Sequence, residues 1–181
     1  NVDDINAIKN AIYQDKIVLL KNQNLTPKEF VTFGRKFGKL REYYEEMYRH
    51  TEEQDIFVSS NIPENGVIKG VPKKGRFWHS DYAFMEKPFA ITITYPQVVP
   101  QANRGTYFID MADVYRSLAP ELKKLIAKSE CQHSVRKYFK IRPSDVYRPI
   151  SEILNEIELK TPTVSHPTVV IHPITGEKIY N

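Results

Sequence analysis

From Phe89 to Tyr95 the chain reads Phe-Ala-Ile-Thr-Ile-Thr-Tyr, seven residues in which large apolar side chains strictly alternate with small or polar ones. A period of two places Phe89, Ile91, Ile93 and Tyr95 on one face of an extended segment and Ala90, Thr92 and Thr94 on the other. This predicts a half-buried strand over 89–95. A sheet with one apolar face must be covered by another layer, which restricts the chain to layered folds.

Other segments add to that frame. Residues 16–21 (Lys-Ile-Val-Leu-Leu-Lys) carry a short buried-strand pattern, and 55–60 and 105–109 also read as strands. Residues 168–171 and 178–180 read as a hairpin across Pro173-Ile174-Thr175-Gly176. Residues 61–74 read as a long loop or hairpin, and 134–139 as extended chain.

Helix signals are interspersed. Ile5, Ile8 and Ile12 fall at helical spacing in 3–14. Thr26-Pro27-Lys28-Glu29 is a capping box with proline at the first helical position, and it opens a helix bearing Phe30, Phe33 and Phe37 and ending near Gly38. Asp110 caps a helix bearing Met111, Val114, Tyr115 and Leu118; Pro120 starts another, and Pro149 a third carrying Ile153, Leu154 and Ile157. The pattern predicts an α+β protein with a jelly-roll core and flanking helices.

Composition narrows the setting. The 181 residues suffice for a single domain with a real core. The one cysteine, Cys131, makes an intrachain disulfide impossible and fits a reducing compartment. It reads as a plain buried thiol. No apolar run approaches membrane-spanning length, and the polar Asn1-Val2-Asp3-Asp4 start lacks a signal-peptide layout, so a cytoplasmic location without membrane association is expected. The chain begins without methionine and stops within an apparent strand at Tyr180-Asn181, as a piece of a longer protein would. The net charge of +4 comes from basic residues interspersed with acids, which describes a mildly basic solvated surface and argues against a nucleic-acid partner. A non-catalytic basic binding module remains the alternative of a different class.

Chemistry concentrates at Trp78-His79-Ser80-Asp81. In an extended segment His79 and Asp81 share a face. An imidazole and a carboxylate are two of the three ligands in the two-His, one-carboxylate facial triad of non-haem Fe(II) oxygenases. A His hydrogen-bonded to a neighbouring Asp at a strand end is the plain structural alternative.

Three segments give that tripeptide its context. They are Trp78–Asp81 followed by Phe84, the run from Pro100 through Gly105-Thr106-Tyr107-Phe108-Ile109-Asp110-Met111, and His166-Pro167 followed by His172-Pro173-Ile174-Thr175-Gly176. In order and spacing the chain resembles the TauD-like family of Fe(II)/2-oxoglutarate oxygenases, over most of its length. Tyr43-Tyr44-Glu45-Glu46-Met47-Tyr48, Val58-Ser59-Ser60-Asn61, Asn103-Arg104-Gly105 and the stretch from His133 through Lys140-Ile141-Arg142-Pro143 to Ile153 look like the isonitrile-forming members within it.

The resemblance implies one TauD-like domain over 1–181, incomplete at its C-terminus, that uses Fe(II), 2-oxoglutarate and O2. The implied reaction converts an N-carboxymethyl-3-amino fatty acid into a 3-isocyano acid; hydroxylation of an amino acid or another small anion is the other enzymatic option. His79 and Asp81 would hold iron. The third ligand, a distant His, and the arginine clamping 2-oxoglutarate fall beyond these residues. His166 and His172 match positions that are not ligands, and His50 and His133 have no better claim. Thr106 and Arg104 would bind the cosubstrate carboxylate, Arg104 alternatively a substrate carboxylate. Tyr43, Tyr44, Tyr48 and Phe84 would line the substrate pocket. Lys140 and Arg142, two apart on an extended segment, would hold a substrate carboxylate. Substrate chain length and oligomeric state stay open.

Overall fold

The computed structural model describes every residue except Asn1, Lys73, Arg76, Asn103, Arg104, Tyr138 and Lys140. The chain forms two compact units, Asn1–Ser80 with Ile91–Val98, and Asp81–Ala90 with Val99–Asn181. Among the described residues there are five α-helices and three two-stranded antiparallel pairs, an α+β content as expected, with no closed barrel.

In the first unit, α1 (Val2–Asp15) ends where Lys16 enters the left-handed region at φ 66° while its amide still bonds Ile12 O at 2.8 Å. Residues 16–21 therefore leave a helix end as irregular chain and form no strand; Leu19 is 75% exposed. Helix α2 (Pro27–Arg35) starts from the expected capping box: Glu29 N donates to Thr26 Oγ1 at 3.3 Å, and Glu29 Oε2 accepts from Thr26 N at 2.8 Å. Phe30 packs on Tyr95 with ring centres 5.5 Å apart. The Tyr95 hydroxyl accepts from Leu25 N at 2.9 Å and donates to Gln23 O at 3.2 Å. Tyr95 thus holds the turn before α2.

Residues 89–95 keep their alternation, each large apolar residue half-buried and each small or polar one exposed, yet they join no ladder among the described residues. Likewise 55–60 are reduced to one bridge, between Arg49 and Phe57, flanked by bonds from His50 N to Ile56 O and Val58 N to Tyr48 O. The loop that follows does contain a hairpin. Strands β1 (Pro63–Glu64) and β2 (Val67–Ile68) are joined by Asn65 and Gly66 at φ 51° and 80°, both left-handed as a type I′ turn requires. Val31, Tyr43, Gly70 and Val71 are the buried residues around which this unit packs, with Gly34 beside Leu40.

In the second unit, α3 (Met111–Ser117) is capped by Asp110, whose Oδ1 accepts from Ala112 N at 2.8 Å. Helices α4 (Pro120–Ile126) and α5 (Ile150–Lys160) begin after Ala119 and Pro149, and Ile153 and Ile157 bury the inner face of α5. Strands β3 (Glu130–His133) and β4 (Val164–Pro167) pair with Cys131 opposite His166, a pairing that the sequence pattern did not announce. Strands β5 (Val169–Ile171) and β6 (Lys178–Tyr180) form the expected hairpin. Buried Thr168 joins these pairs: its hydroxyl accepts from Ser129 Oγ at 2.9 Å and lies 3.3 Å from Cys131 Sγ, and its carbonyl accepts from Asn181 N. Cys131 is accordingly half-buried rather than fully enclosed.

Two further expectations fail here. Residues 105–109 form no strand, and Tyr107 is 85% exposed. The segment expected to be extended over 134–139 instead turns into a 3-10 helix at Val135–Lys137, where Ser134 Oγ accepts from Arg136 N. A serine hydroxyl that accepts from the amide two residues on favours a turn over a ladder.

Candidate active site

The segment carrying His79 and Asp81 is irregular rather than a strand, so a shared strand face is not what relates them. Trp78 is 65% exposed, and both candidate ligands are exposed. His79 belongs to the first unit. Its Nδ1 lies 2.9 Å from Phe77 O, and its ring meets Phe77 edge-on at 5.8 Å. A carbonyl only accepts, so Nδ1 carries the hydrogen and the lone pair of the neutral ring sits on Nε2. Metal-ligating imidazoles are characteristically set up this way, one nitrogen donating to a backbone carbonyl and the other turned to the metal.

Asp81 belongs to the second unit and opens a turn in which Met85 N donates to Tyr82 O at 2.9 Å. Tyr82 sits at φ 57°, uncommon for a residue with a bulky side chain, and its ring stacks on Phe89 at 3.9 Å and on Phe84 at 5.3 Å. Phe84, expected as a pocket wall, is thus part of a half-buried stack. Neutral imidazole and carboxylate are suitable donors for Fe(II). Among the described residues no three His, Cys, Asp or Glu side chains converge on one point.

Structure brings the three candidate tyrosines together. Tyr43 is buried, with Tyr44, Phe57 and Tyr48 ring centres at 4.6, 4.4 and 6.2 Å. The Lys74 ammonium lies over this cluster, 4.3 Å from the Phe57 ring and 5.6 Å from that of Tyr43. Arg49 fixes the segment by donating from Nε to Tyr43 O at 2.8 Å and pairing with Glu42 at 2.8 Å. A cation over aromatic faces beside phenol groups makes an amphipathic surface suited to an anion with an apolar chain. Neither Lys74 nor Arg49 was singled out by sequence; only the close approach of 43–48, 57 and 74 gives them a place.

Arg142 begins a 3-10 turn, Pro143–Asp145, instead of lying in extended chain. Its guanidinium grips Asp145 with two bonds, Nε to Oδ2 at 2.7 Å and a terminal nitrogen to Oδ1 at 2.8 Å, while its backbone amide donates to Oδ2 at 2.9 Å. The Asp145 side chain is fully buried, and Arg148 adds a bond at 3.2 Å before pairing with Glu156 at 2.9 Å. The Arg142 hydrogen bonds, foremost, hold the Asp145 carboxyl down at about 2 despite burial, which opposes the shift. Asp145 falls within the stretch that carries the resemblance but received no role from the sequence, although Arg-Pro-Ser-Asp places cation and acid three apart in a turn. Thr106 is exposed. Arg104 and Lys140 lie outside the described residues.

Known proteins resemble this chain along its whole length. The model of the taurine catabolism dioxygenase TauD, TfdA family matches residues 1–181. The chain belongs to that family, one of Fe(II)- and 2-oxoglutarate-dependent dioxygenases. It is 29% identical over 170 residues to pentalenolactone F synthase of Streptomyces arenae, covering 90% of this chain and 57% of that protein. It is 26% identical over 179 residues to a putative alpha-ketoglutarate-dependent sulfonate dioxygenase of Schizosaccharomyces pombe, covering 96% and 43%. With an (S)-phenoxypropionate/alpha-ketoglutarate-dioxygenase of Delftia acidovorans it shares 23% over 181 residues, covering 94% and 59%. The chain spans about half the length of these relatives.

Proposed function

We propose that this chain is part of a single jelly-roll oxygenase domain of the TauD type that oxidises a small anionic substrate, with His79 and Asp81 as two of its iron ligands. The observation that carries this reading is the His79 ring: Nδ1–H is held by Phe77 O, which puts the lone pair on Nε2, two residues from a carboxylate. Family membership supports it. Bound iron and 2-oxoglutarate would supply the oxidising power, with succinate and carbon dioxide as by-products. The chain's own work is to bind and orient the substrate. Thr106 and Arg104 are assigned to carboxylate binding in the cosubstrate.

For the substrate we propose an N-carboxymethyl-3-amino acid, oxidised to the 3-isocyano acid. Loss of carbon dioxide from N–CH2–COOH and removal of four hydrogens leaves N≡C. This is a four-electron oxidation and uses two equivalents each of O2 and 2-oxoglutarate. Tyr43, Tyr44 and Tyr48 with Phe84, and Lys140 with Arg142, are assigned to the substrate. The Tyr43 cluster under Lys74 supports an anionic ligand with an apolar portion. Asp145 holds Arg142 in one orientation, as a preorganised carboxylate clamp needs.

Hydroxylation of a different small anion is the competing reading, favoured by relatives named for sulfonate and phenoxypropionate. Mass spectrometry of the product of the full-length protein, supplied with iron, 2-oxoglutarate and the N-carboxymethyl acid, separates the two. An isonitrile formed with two succinates per turnover supports the first; a hydroxylated product with one succinate and no isonitrile refutes it.

A further inference from the structure

We infer that His166 is a positioning residue for Asp81, acting through the backbone of the turn that Asp81 opens. The inference rests on the reading of Asp81 as an iron ligand. His166 lies on β4, held in register opposite Cys131, and its half-buried ring reaches across 81 residues of sequence to place Nε2 at 2.9 Å from Met85 O. The carbonyl only accepts, so Nε2–H donates to it. Met85 in turn closes the Asp81 turn through its amide bond to Tyr82 O at 2.9 Å.

The turn needs such a hold. Tyr82 occupies the left-handed region at φ 57°, which a bulky residue adopts only when its surroundings over-determine it. Among the contacts that do so within this unit are the stacks of Tyr82 on Phe89 at 3.9 Å and on Phe84 at 5.3 Å, and the His166 bond that ties the end of the turn to a paired strand. Asp81 immediately precedes Tyr82, so a change of backbone at Tyr82 re-aims the Asp81 carboxylate. A shift of that kind weakens metal binding without removing a ligand. His166 therefore serves the metal site without being a ligand.

The test uses the full-length protein and Co(II) as the probe metal, with His166→Ala, His166→Gln and Asp81→Asn variants. Metal affinity is read by calorimetry under anaerobic conditions, and amide hydrogen exchange at Met85 is followed in the metal-free protein. His166→Ala is expected to weaken Co(II) binding roughly ten-fold or more, the scale seen when the hydrogen-bond partners that orient ligands are lost. It should also speed exchange at Met85. Gln carries an amide N–H at similar reach and is expected to recover much of both. If Met85 exchange quickens in His166→Ala while Co(II) affinity stays at the wild-type value, His166 is merely structural and the inference is overturned. If Asp81→Asn binds Co(II) as the wild type does, the iron-site reading itself fails, and the inference with it.

Discussion

Replacing Asp145 by Asn removes a charge at the centre of the Arg142–Asp145–Arg148 arrangement while keeping the side chain's shape. The carboxylate is fully buried and accepts four hydrogen bonds, three from Arg142 at 2.7–2.9 Å and one from Arg148 at 3.2 Å. Asn offers one acceptor oxygen and turns an N–H2 group towards a guanidinium. Breaking a buried pair in this way costs about 3–5 kcal/mol. Arg148 is 37% exposed, so solvent screens part of the interaction and the expected loss at pH 7 is about 2–3 kcal/mol.

The pH dependence gives an independent measure. With the carboxyl at about 2 in the fold against its ordinary 3.8, the unfolded chain binds more protons than the native one between those values. Stability from this group is complete above about pH 4 and is lost as pH falls through 2. At 1.36 kcal/mol per unit the shift corresponds to about 2 kcal/mol before screening and about 1–2 kcal/mol after it. Urea denaturation of both proteins at pH 7, 5, 4, 3 and 2 tests this. The gap between wild type and Asp145→Asn should narrow by about 1–2 kcal/mol as pH falls from 5 to 2. A gap that stays constant over that range would refute the reasoning.

Gly70→Ala should destabilise by about 1–3 kcal/mol in thermal melting, because a Cβ there would meet the Ser60 backbone nitrogen at 2.8 Å and Val58 O at 3.1 Å. Thr26→Ala should cost about 1 kcal/mol by denaturant titration, and a carboxyl NMR titration should show Glu29 moving upward only in part, because the Thr26 hydroxyl bond is lost while the backbone N–H bond, the larger cause of its lowering, remains. Burial, and then the neighbouring His166 ring at 5.5 Å, pushes the His133 imidazole below its ordinary 6.5. The native state thus keeps His133 neutral, and stability should decline as pH falls below 6.5. His133→Gln should flatten that slope in melting curves taken from pH 7 to pH 5; an unchanged slope would assign it to another group.

Local signals read in one dimension carried over into the structure where one stretch of chain completes its own hydrogen bonds. The Thr26–Glu29 capping box, the Asp110 cap, the proline-led α4 and α5, and the β5–β6 hairpin all close within a few residues of themselves. So does the Asn65-Gly66 turn. Each can be recognised from sequence because the partner atoms are neighbours in the chain.

Most of what failed depends on a distant partner, the Ser134–Arg136 turn and the Arg142–Asp145 pair being local exceptions. Alternation at 89–95 correctly named the half-buried face, but a ladder needs a second strand, and the described residues supply none. The β3–β4 pairing, the Tyr43 cluster under Lys74 and the bond from His166 to Met85 O join residues many positions apart, with no local signature. Sequence by itself determined the donor types at His79 and Asp81, the α+β class and the helix starts. Only the tertiary structure decided that the His79–Asp81 segment is irregular rather than a strand. It also decided which nitrogen of His79 keeps the lone pair, that Arg142 is clasped by a buried carboxylate, and that the Asp81 turn is held by a histidine 85 positions away. Residue identity sets what a group can bond, whereas packing sets which partner it reaches.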